Sequence, residues 1–381
     1  MKIAIDAGLG LTPSEKGGIY YLLPQFLSAL HKIDRENEYV ISGYLLRNYH
    51  KRVKFIKELL GSEKFSFKIL PLPSKIVNLI EVKMKFPLIE TLFKKEGISI
   101  YHGFCGGNLP IFNKIRTVYT VHDLSFEINP DFYNDRWYSH IKDSAMRADA
   151  ITTPSFSTKK DLMKIYDIPE DKIKVTHLGV NKEIFKPIGK EAVREYLKKY
   201  IPFERYIMTV VTSIKRKNIP FLLDVFKILK EKGVEEKLLI IAGTLYLKDE
   251  ILKLAMEKKI ENDTFVLTEI PVDKMPYFYS GAELFVFLSL YEGFGLPVLE
   301  AMACGCPVLT SNISSLPEIA GDAGIIVNPY SLEESSTSIL NTLSDGWLKS
   351  EMRKKGIERA SLFSWEKCAG ETLEVYKNLS R

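Results

Sequence analysis

Two carboxylates, Glu292 and Glu300, flank a glycine-containing stretch and could hold a ligand that carries hydroxyl groups beside a phosphate. Gly293 and Gly295 allow a tight loop, which is expected to follow a strand and to lead into a helix. Backbone N–H groups at 294–298, where that helix begins, would form an anion site. We expect Glu300 in the first helical turn. One of the two carboxylates could then accept hydrogen bonds from a ribose, and the other could accept them from a sugar. In the plainer alternative, Glu300 only complements the helix dipole and Glu292 is a solvated loop acid.

Basic, imidazole and glycine residues follow other predicted strands. Arg216 and Lys217 could neutralise a departing diphosphate, whose charge grows in the transition state, or they could form a solvated turn. His122 could orient or protonate a hydroxyl near neutral pH, or it could be a satisfied core histidine. Gly17 and Gly18 could bring backbone amides to the diphosphate, or they could form an ordinary turn.

Short β-branched runs alternate with amphipathic helical stretches along the chain, which is typical of βαβ units and parallel sheets. The predicted strands are 3–6, 39–42, 67–70, 98–101, 117–121, 150–153, 206–212, 238–242, 264–266, 283–288, 307–310 and 324–327, and the predicted helices include 18–31, 51–60, 76–95 and 134–147. The series pauses near residue 185. We therefore predict two doubly wound, Rossmann-like α/β domains, 1–184 and 185–363, facing across a cleft, with a last helix at 364–381 that packs back on the first. Ligands of such sheets bind outside the carboxyl ends of the strands.

The composition is that of a folded globular protein. The chain has 381 residues, of which 46% are hydrophobic and 27% charged, so disordered, collagenous and coiled-coil classes are excluded. No apolar run approaches the ~18 residues needed to cross a bilayer, and the N-terminus does not resemble a secretory signal, so a cytoplasmic location is expected. The four cysteines lack metal-ligand spacing and are expected to be free, mostly buried thiols. No metal site is expected.

Basic residues are concentrated in the segment 51–95, which holds 11 Lys and Arg against 4 Asp and Glu, interleaved with apolar residues. Such a segment could meet anionic lipid as a peripheral contact at the inner membrane face, or it could be a solvated helix face. The net charge of +5 is too small for a nucleic-acid partner. A dinucleotide fingerprint is broken by Pro13, and phosphate-loop, zinc-protease and α/β-hydrolase motifs are absent.

The run 292–305, E-G-F-G-L-P-V-L-E-A-M-A-C-G, resembles the group 1 retaining glycosyltransferases, which carry two acidic residues separated by seven positions and adopt the GT-B fold. The resemblance covers nearly the whole chain. It extends to Gly17-Gly18-Ile19 as the N-terminal glycine loop, His122-Asp123-Leu124 as the His-Asp motif, and Arg216-Lys217-Asn218 as the basic donor-site motif.

The resemblance implies roles for these residues. Glu300 would bind the nucleotide ribose and Glu292 the hydroxyls of the donor sugar. Backbone groups of Phe294, Gly295 and Leu296 would contact sugar and phosphate. The remaining implied residues are Gly293 in the same loop, Arg216 and Lys217 at the diphosphate, Gly17 and Gly18 in the N-terminal loop, and His122 at the reacting hydroxyl.

The implied function is metal-independent, retaining transfer of a hexose or deoxyhexose from a nucleoside diphosphate sugar to a hydroxyl acceptor, without a further cofactor. Mannose is expected first, because mannosyltransferases of the family carry similar Arg-Lys-Asn motifs, and the donor is expected to be GDP- or UDP-linked. The acceptor would be a growing polysaccharide, a glycolipid or another small glycoside. Two alternatives stay open at this point: a nucleotide-sugar epimerase or hydrolase of the same fold, and a noncatalytic sugar-nucleotide binding protein.

Overall fold

The computed structural model divides the chain into two compact units. The first comprises Met1–Phe126, Tyr133–Gly179 and Trp365–Arg381, and the second comprises Glu127–Phe132 and Val180–Ser364. The residues that the structure describes are 1–6, 18–44, 50, 53–54, 57–58, 65–73, 76–77, 79–132 and 140–380. Gly17 and most of the predicted helix 51–60 lie outside the described residues.

The described part of the first unit contains a parallel sheet in the order β3-β2-β1-β4-β5-β6-β7. Its strands are β1 (Lys2–Asp6), β2 (Glu38–Tyr44), β3 (Ser66–Leu70), β4 (Ile100–Gly103), β5 (Arg116–Thr120), β6 (Ala150–Thr153) and β7 (Ile173–Val175). Before residue 180 the described α-helices are α1 (Gly18–Ile33), α2 (Leu88–Phe93), α3 (Ser125–Ile128), α4 (His140–Arg147) and α5 (Phe156–Tyr166). The strands are mostly buried because helices cover both faces of a parallel sheet.

The prediction of one continuous helix over 76–95 is wrong. A π-helical turn at Leu79–Lys83 is followed by an irregular stretch, and α2 begins only after Pro87. Proline has no N–H for the helical ladder and disfavours helical geometry in the residue before it, here Phe86. The helix predicted at 134–147 starts at His140 among the described residues.

The C-terminal helix, Trp365–Leu379, belongs to the first unit, where it packs on α1. Lys32 and Glu366 form an ion pair of 3.3 Å at the edge of this contact. In the interior, His102 Nδ1 lies 2.5 Å from the Tyr376 hydroxyl and His102 Nε2 lies 2.7 Å from Thr120 Oγ1. Burial lowers the pKa of His102 to about 3, so this imidazole is a neutral structural link between sheet and helix.

The second unit contains a parallel sheet in the order β10-β9-β8-β11-β12-β13. Its strands are β8 (Tyr206–Val211), β9 (Lys237–Ala242), β10 (Thr264–Thr268), β11 (Leu284–Phe287), β12 (Val308–Ser311) and β13 (Ile325–Val327). Its helices are α6 (Lys190–Leu197), α7 (Ile219–Glu231), α8 (Leu245–Glu257), α9 (Met275–Gly281), α10 (Leu296–Ala303), α11 (Leu316–Ala320), α12 (Leu332–Ser344) and α13 (Gly346–Ser361).

Strand order in the second sheet reverses between β8 and β11, which pair in parallel with Leu284 opposite Ile207. The loops that leave the carboxyl ends of these two strands therefore lie at the position where doubly wound sheets bind ligands. Both predicted loops, the basic one after β8 and the acidic one after β11, lie at this switch point. In the part of the chain that the structure describes, no helix is both long enough and apolar enough to cross a membrane.

Candidate functional site

The loops after β8 and β11 are joined to each other at the switch point of the second sheet. The N–H of Leu290 donates to the carbonyl oxygen of Arg216 at 2.9 Å. The Arg216 side chain donates from Nη1 to the carbonyl oxygen of Tyr291 at 3.2 Å. Residues that lie 75 positions apart in the sequence are thus brought to one place by strand order.

The Glu292 carboxylate lies at the centre of this junction and is paired with two cations. Its Oε1 accepts from Lys217 Nζ at 2.5 Å and from Ser289 Oγ at 2.6 Å, and its Oε2 lies 3.0 Å from Arg216 Nη1. Lys217 Nζ also lies 4.3 Å from the centre of the Phe287 ring, a cation–π contact. Glu292 is 7% exposed and Lys217 6% exposed, so neither is the solvated residue of the plainer alternatives.

These partners determine the charge of Glu292. Burial by itself would raise the pKa of the carboxyl, but the nearby Arg216 and Lys217 charges, with hydrogen bonds from Lys217 and Ser289, lower it to about 2. Glu292 is therefore ionised across the physiological pH range, and the Arg216–Glu292–Lys217 cluster is a largely buried group of three charges with a net charge of +1.

Two serines, the part-buried Ser314 and the buried Ser315, hydrogen-bond to the acidic loop, and the sequence did not single them out as site residues. Ser314 Oγ accepts from the N–H of Glu292 at 2.9 Å. Ser315 Oγ lies 2.9 Å from the Glu292 carbonyl oxygen and 2.7 Å from that of Phe294. Each serine hydroxyl hydrogen-bonds to a backbone group of the loop, which stabilises one loop conformation. In that conformation the Glu292 carboxylate contacts Arg216 and Lys217.

Helix α10 follows the predicted glycine loop and begins at Leu296, one residue before Pro297. Gly295 has a φ of +107°, and a Cβ there would lie 2.9 Å from Leu316 Cδ2, so both backbone and packing require glycine. The predicted set of free amides at 294–298 is too wide, because Pro297 has no N–H and that of Val298 donates to the Gly295 carbonyl at 3.0 Å. Pro297 and Val298 therefore offer no N–H group to an anion.

Glu300 is the fifth residue of α10, so its predicted place in the first turn is wrong; the helix starts too early for that. Its Oε2 accepts from the Tyr279 hydroxyl at 3.2 Å. Burial raises the pKa of the Glu300 carboxyl to about 8, and the Tyr279 hydrogen bond opposes this rise. Among the described residues, cations contact Glu292 but not Glu300, so the two carboxyls differ in charge near neutral pH.

The remaining candidates belong to the first unit. His122 Nε2 donates to the Phe104 carbonyl oxygen at 2.7 Å, and its buried Nδ1 has no hydrogen-bond partner among the described residues. Burial lowers the pKa of His122, so the neutral ring offers Nδ1 as an acceptor. Asp123 acts as a cap, because its Oδ1 accepts from the backbone and side chain of Ser125. Gly18 is the first residue of α1, and Gly17 lies outside the described residues.

Exposed apolar side chains mark one turn within the basic segment 51–95. Met84 is 67% exposed, and Phe86 and Leu79 are about half exposed. The N–H of Met84 donates to the Leu79 carbonyl at 3.1 Å, which closes the turn, and exposed Lys85 follows it with a left-handed φ of +52°. The turn is held from inside by Glu81, whose carboxylate accepts from the N–H groups of Ile89 and Ile111 at 2.7 Å each.

None of the four cysteines forms a disulfide, and three of them are buried, as predicted. Among the described residues, no three or more His, Cys, Asp and Glu side chains are grouped so that they could hold a metal ion.

Two glycosyltransferase family models and a bacterial mannosyltransferase match this chain. The family model described as "Glycosyl transferases group 1" matches residues 194–361, and "Glycosyltransferase Family 4" matches 66–184. The chain is 32% identical over 286 residues to the O-antigen chain mannosyltransferase B of Escherichia coli, and the match covers 74% of each protein.

Solved structures are similar over the whole chain at low sequence identity. A glycosyltransferase from Rickettsia africae has a TM-score of 0.76 at 19% identity, with 100% of this chain and 98% of that one covered. Anabaena Alr3699/HepE in complex with UDP-glucose has a TM-score of 0.74 at 14% identity, covering 99% and 100%. Together with the two parallel sheets, these neighbours confirm the predicted α/β, GT-B fold class.

Proposed function

Because the chain belongs to the group 1 glycosyltransferases, we propose that it transfers mannose, with retention of configuration, from a nucleoside diphosphate sugar to a hydroxyl of a glycan or lipid-linked glycan. The observation that carries this proposal is the buried Glu292 held between Lys217 and Arg216 beside the start of α10. A buried lysine and a part-buried arginine near helix-terminal amides favour a diphosphate, and the carboxylate between them can accept hydrogen bonds from sugar hydroxyls.

Each charged residue has a role in this proposal. Arg216 and Lys217 bind the diphosphate and stabilise the negative charge that grows on it as the sugar leaves. Glu292 balances part of their positive charge in the free protein and binds hydroxyls of the donor sugar. Glu300 binds the ribose. Residues 1–184 would bind the acceptor, with the unpartnered Nδ1 of His122 available to accept a hydrogen bond from a hydroxyl.

The proposed reaction proceeds on one face of the sugar. The bond from the anomeric carbon to the diphosphate oxygen breaks, the bond to the acceptor oxygen forms on the same face, and the acceptor proton passes to the departing phosphate. Arg216 and Lys217 supply the positive charge that a metal ion supplies in other phosphate chemistry, so transfer is proposed to be metal-independent. Backbone groups at Gly293, Phe294, Gly295 and Leu296 would position the donor.

GDP-mannose is the first donor to test. Similarity to an O-antigen mannosyltransferase supports mannose, and a structural neighbour solved with UDP-glucose makes UDP-sugars the second class. The purified protein is screened by thermal shift against GDP-, UDP-, ADP- and dTDP-sugars, since a bound donor raises the melting temperature. The stabilising donor is then incubated with mannan oligosaccharide acceptors in the presence of EDTA.

The readout is the anomeric configuration of the product by NMR, which we expect to match that of the donor. Glu292→Gln is expected to lower the transfer rate by about a hundredfold or more. Glu283→Gln is the matched control, because Glu283 is also a part-buried carboxylate paired with a lysine, Lys349 at 2.6 Å, but lies before β11. Inverted product, or full activity in Glu292→Gln, contradicts the proposal. Donor consumed equally without acceptor supports the hydrolase alternative, and binding without turnover supports the noncatalytic one.

We also propose that the turn 79–86 makes peripheral contact with an anionic membrane, where a lipid-linked acceptor would be found. Apolar tips flanked by lysine combine hydrophobic insertion with attraction to anionic headgroups. Cosedimentation with vesicles containing anionic lipid is expected for the wild type and is expected to fall for Met84→Asp. Equal binding of both proteins to those vesicles would contradict this contact.

A further inference from the structure

Tyr279 places a single hydroxyl against Glu300 from inside the second unit. Its side chain is fully buried, and its hydroxyl donates to Glu300 Oε2 at 3.2 Å. The ring packs edge-on against Phe285, with centroids 5.4 Å apart, and is tilted against Phe185 at 6.3 Å. Aromatic packing on two sides leaves the hydroxyl little freedom to move.

Helix α9, which carries Tyr279, is itself fixed. The buried Tyr206 hydroxyl donates to the Phe278 carbonyl oxygen at 2.7 Å. A Cβ at Gly281 would lie 2.6 Å from the same hydroxyl, so the helix approaches β8 as closely as glycine permits. Ser280 Oγ donates to the carbonyl oxygen of Cys304, at the end of α10, at 3.3 Å. Helices α9 and α10 are therefore joined at Cys304 and at Glu300.

A hydrogen-bond donor beside Glu300 matters because the ionised carboxyl is the form that best binds ribose hydroxyls. A carboxylate can accept hydrogen bonds from both hydroxyls of a ribose, whereas the protonated acid accepts less well and presents a proton of its own. The titratable groups that face this site are Tyr279, Cys304 and Cys306, and burial raises the pKa of each, so all three are neutral at pH 7. The Tyr279 hydrogen bond thus favours the ionised form of Glu300 against burial.

We propose that Tyr279 is a positioning residue for the transfer reaction: its hydroxyl orients the Glu300 carboxylate toward the ribose hydroxyls of the donor. This inference rests on the proposed function, in which Glu300 binds the ribose. Tyr279 itself touches neither donor nor acceptor. It acts through Glu300 alone, so its removal affects only those donors whose ribose hydroxyls Glu300 can bind.

The test compares Tyr279→Phe with the wild type on two donors, the preferred nucleoside diphosphate sugar and its 2′-deoxyribose analogue. The wild type is expected to have a much lower KM for the ribose donor. Tyr279→Phe is expected to raise that KM about tenfold, the size of one lost hydrogen bond, while the KM for the deoxy donor and both kcat values stay the same. Tyr376→Phe, which loses a buried hydroxyl contact to His102 in the first unit, is the matched control and keeps the wild-type ratio.

A pH profile gives an independent readout. Because Tyr279 favours ionised Glu300, the pH at which affinity for the ribose donor rises is expected to move upward in Tyr279→Phe and to stay unchanged in Tyr376→Phe. An unchanged KM ratio and an unchanged profile in Tyr279→Phe would overturn the proposal. Should Tyr279→Phe fold poorly, Tyr279→Leu, which also lacks the hydroxyl, must show the same loss of discrimination. A wild type that does not discriminate between the two donors instead refutes the ribose assignment of Glu300.

Discussion

Replacing Lys217 by methionine tests the buried charge cluster directly. Methionine fills a similar volume but removes the ammonium group that contacts Glu292 Oε1 at 2.5 Å. Removing one partner of a buried pair usually costs about 3–5 kcal/mol, because the other charge is left without compensation. Arg216 and Ser289 still contact the carboxylate, so we expect a loss of about 2–3 kcal/mol in the free energy of unfolding at pH 7.

The lowered pKa of Glu292 indicates a stabilisation of similar size. A fall from the usual 4.5 to about 2 corresponds to about 3 kcal/mol of net stabilisation of the carboxylate by all its partners. Because the pKa is lowered in the folded state, this stability is present above about pH 4.5 and is lost as the pH falls toward 2. The difference between wild type and Lys217→Met should therefore shrink between pH 5 and pH 2.

The assay is urea unfolding followed by far-UV circular dichroism at pH 7 and pH 3. Lys198→Met is the matched control, because Lys198 pairs with Glu195 at 3.2 Å on the surface and both side chains are more than 60% exposed. An exposed pair of this kind contributes about 0.5 kcal/mol or less. Equal effects of the two substitutions at pH 7, or a Lys217→Met effect that does not change with pH, would refute the reasoning.

Three further substitutions address neighbouring parts of the site. Glu292→Gln removes the negative charge that pairs with Arg216 and Lys217. Calorimetry should therefore show tighter binding of the free nucleoside diphosphate, while the transfer rate falls by about a hundredfold or more. Weaker nucleotide binding would contradict the electrostatic argument. Gly295→Ala must place Cβ 2.9 Å from Leu316 at a φ of +107° and should lower the free energy of unfolding in urea by about 1–3 kcal/mol. Gly346→Ala is the control, because a Cβ there has nothing within 4 Å, and it should leave that free energy nearly unchanged. Equal losses in the two variants would count against the loop geometry. Burial raises the pKa of Glu300 to about 8, so the stability that the neutral carboxyl contributes is full below pH 4.5 and is lost as the pH rises through 8. The melting temperature of Glu300→Gln, measured relative to wild type, should therefore increase from pH 5 to pH 8. A difference that stays constant with pH would exclude the raised pKa.

Most strands could be predicted because buried parallel strands are short β-branched runs bounded by turn residues. β11, for example, lies within the predicted 283–288. The strand Ile173–Val175 was missed, since three residues with an exposed lysine in the middle give too short a signal. The helix predicted over 76–95 was wrong because Pro87 outweighed the apolar periodicity around it.

The site could be predicted as a set of residues but not as an arrangement. The glycine loop and both acids were visible in the run 292–300, where local backbone rules apply. The contact of Glu292 with Arg216 and Lys217 depends instead on the parallel pairing of β8 with β11, which no local pattern contains. Tyr279 was missed for a similar reason, because a tyrosine in an apolar helix gives no sign of the carboxylate that its hydroxyl meets.

The most direct measurement of the central claim is a crystal structure of the protein soaked with GDP-mannose or the nucleotide sugar that stabilises it most. We expect the diphosphate on Arg216 and Lys217 at the start of α10, the ribose hydroxyls on Glu300, and hydroxyls of the sugar on Glu292. A nucleotide sugar bound elsewhere, with the Arg216–Glu292–Lys217 cluster unchanged and without contact to the ligand, would contradict the account.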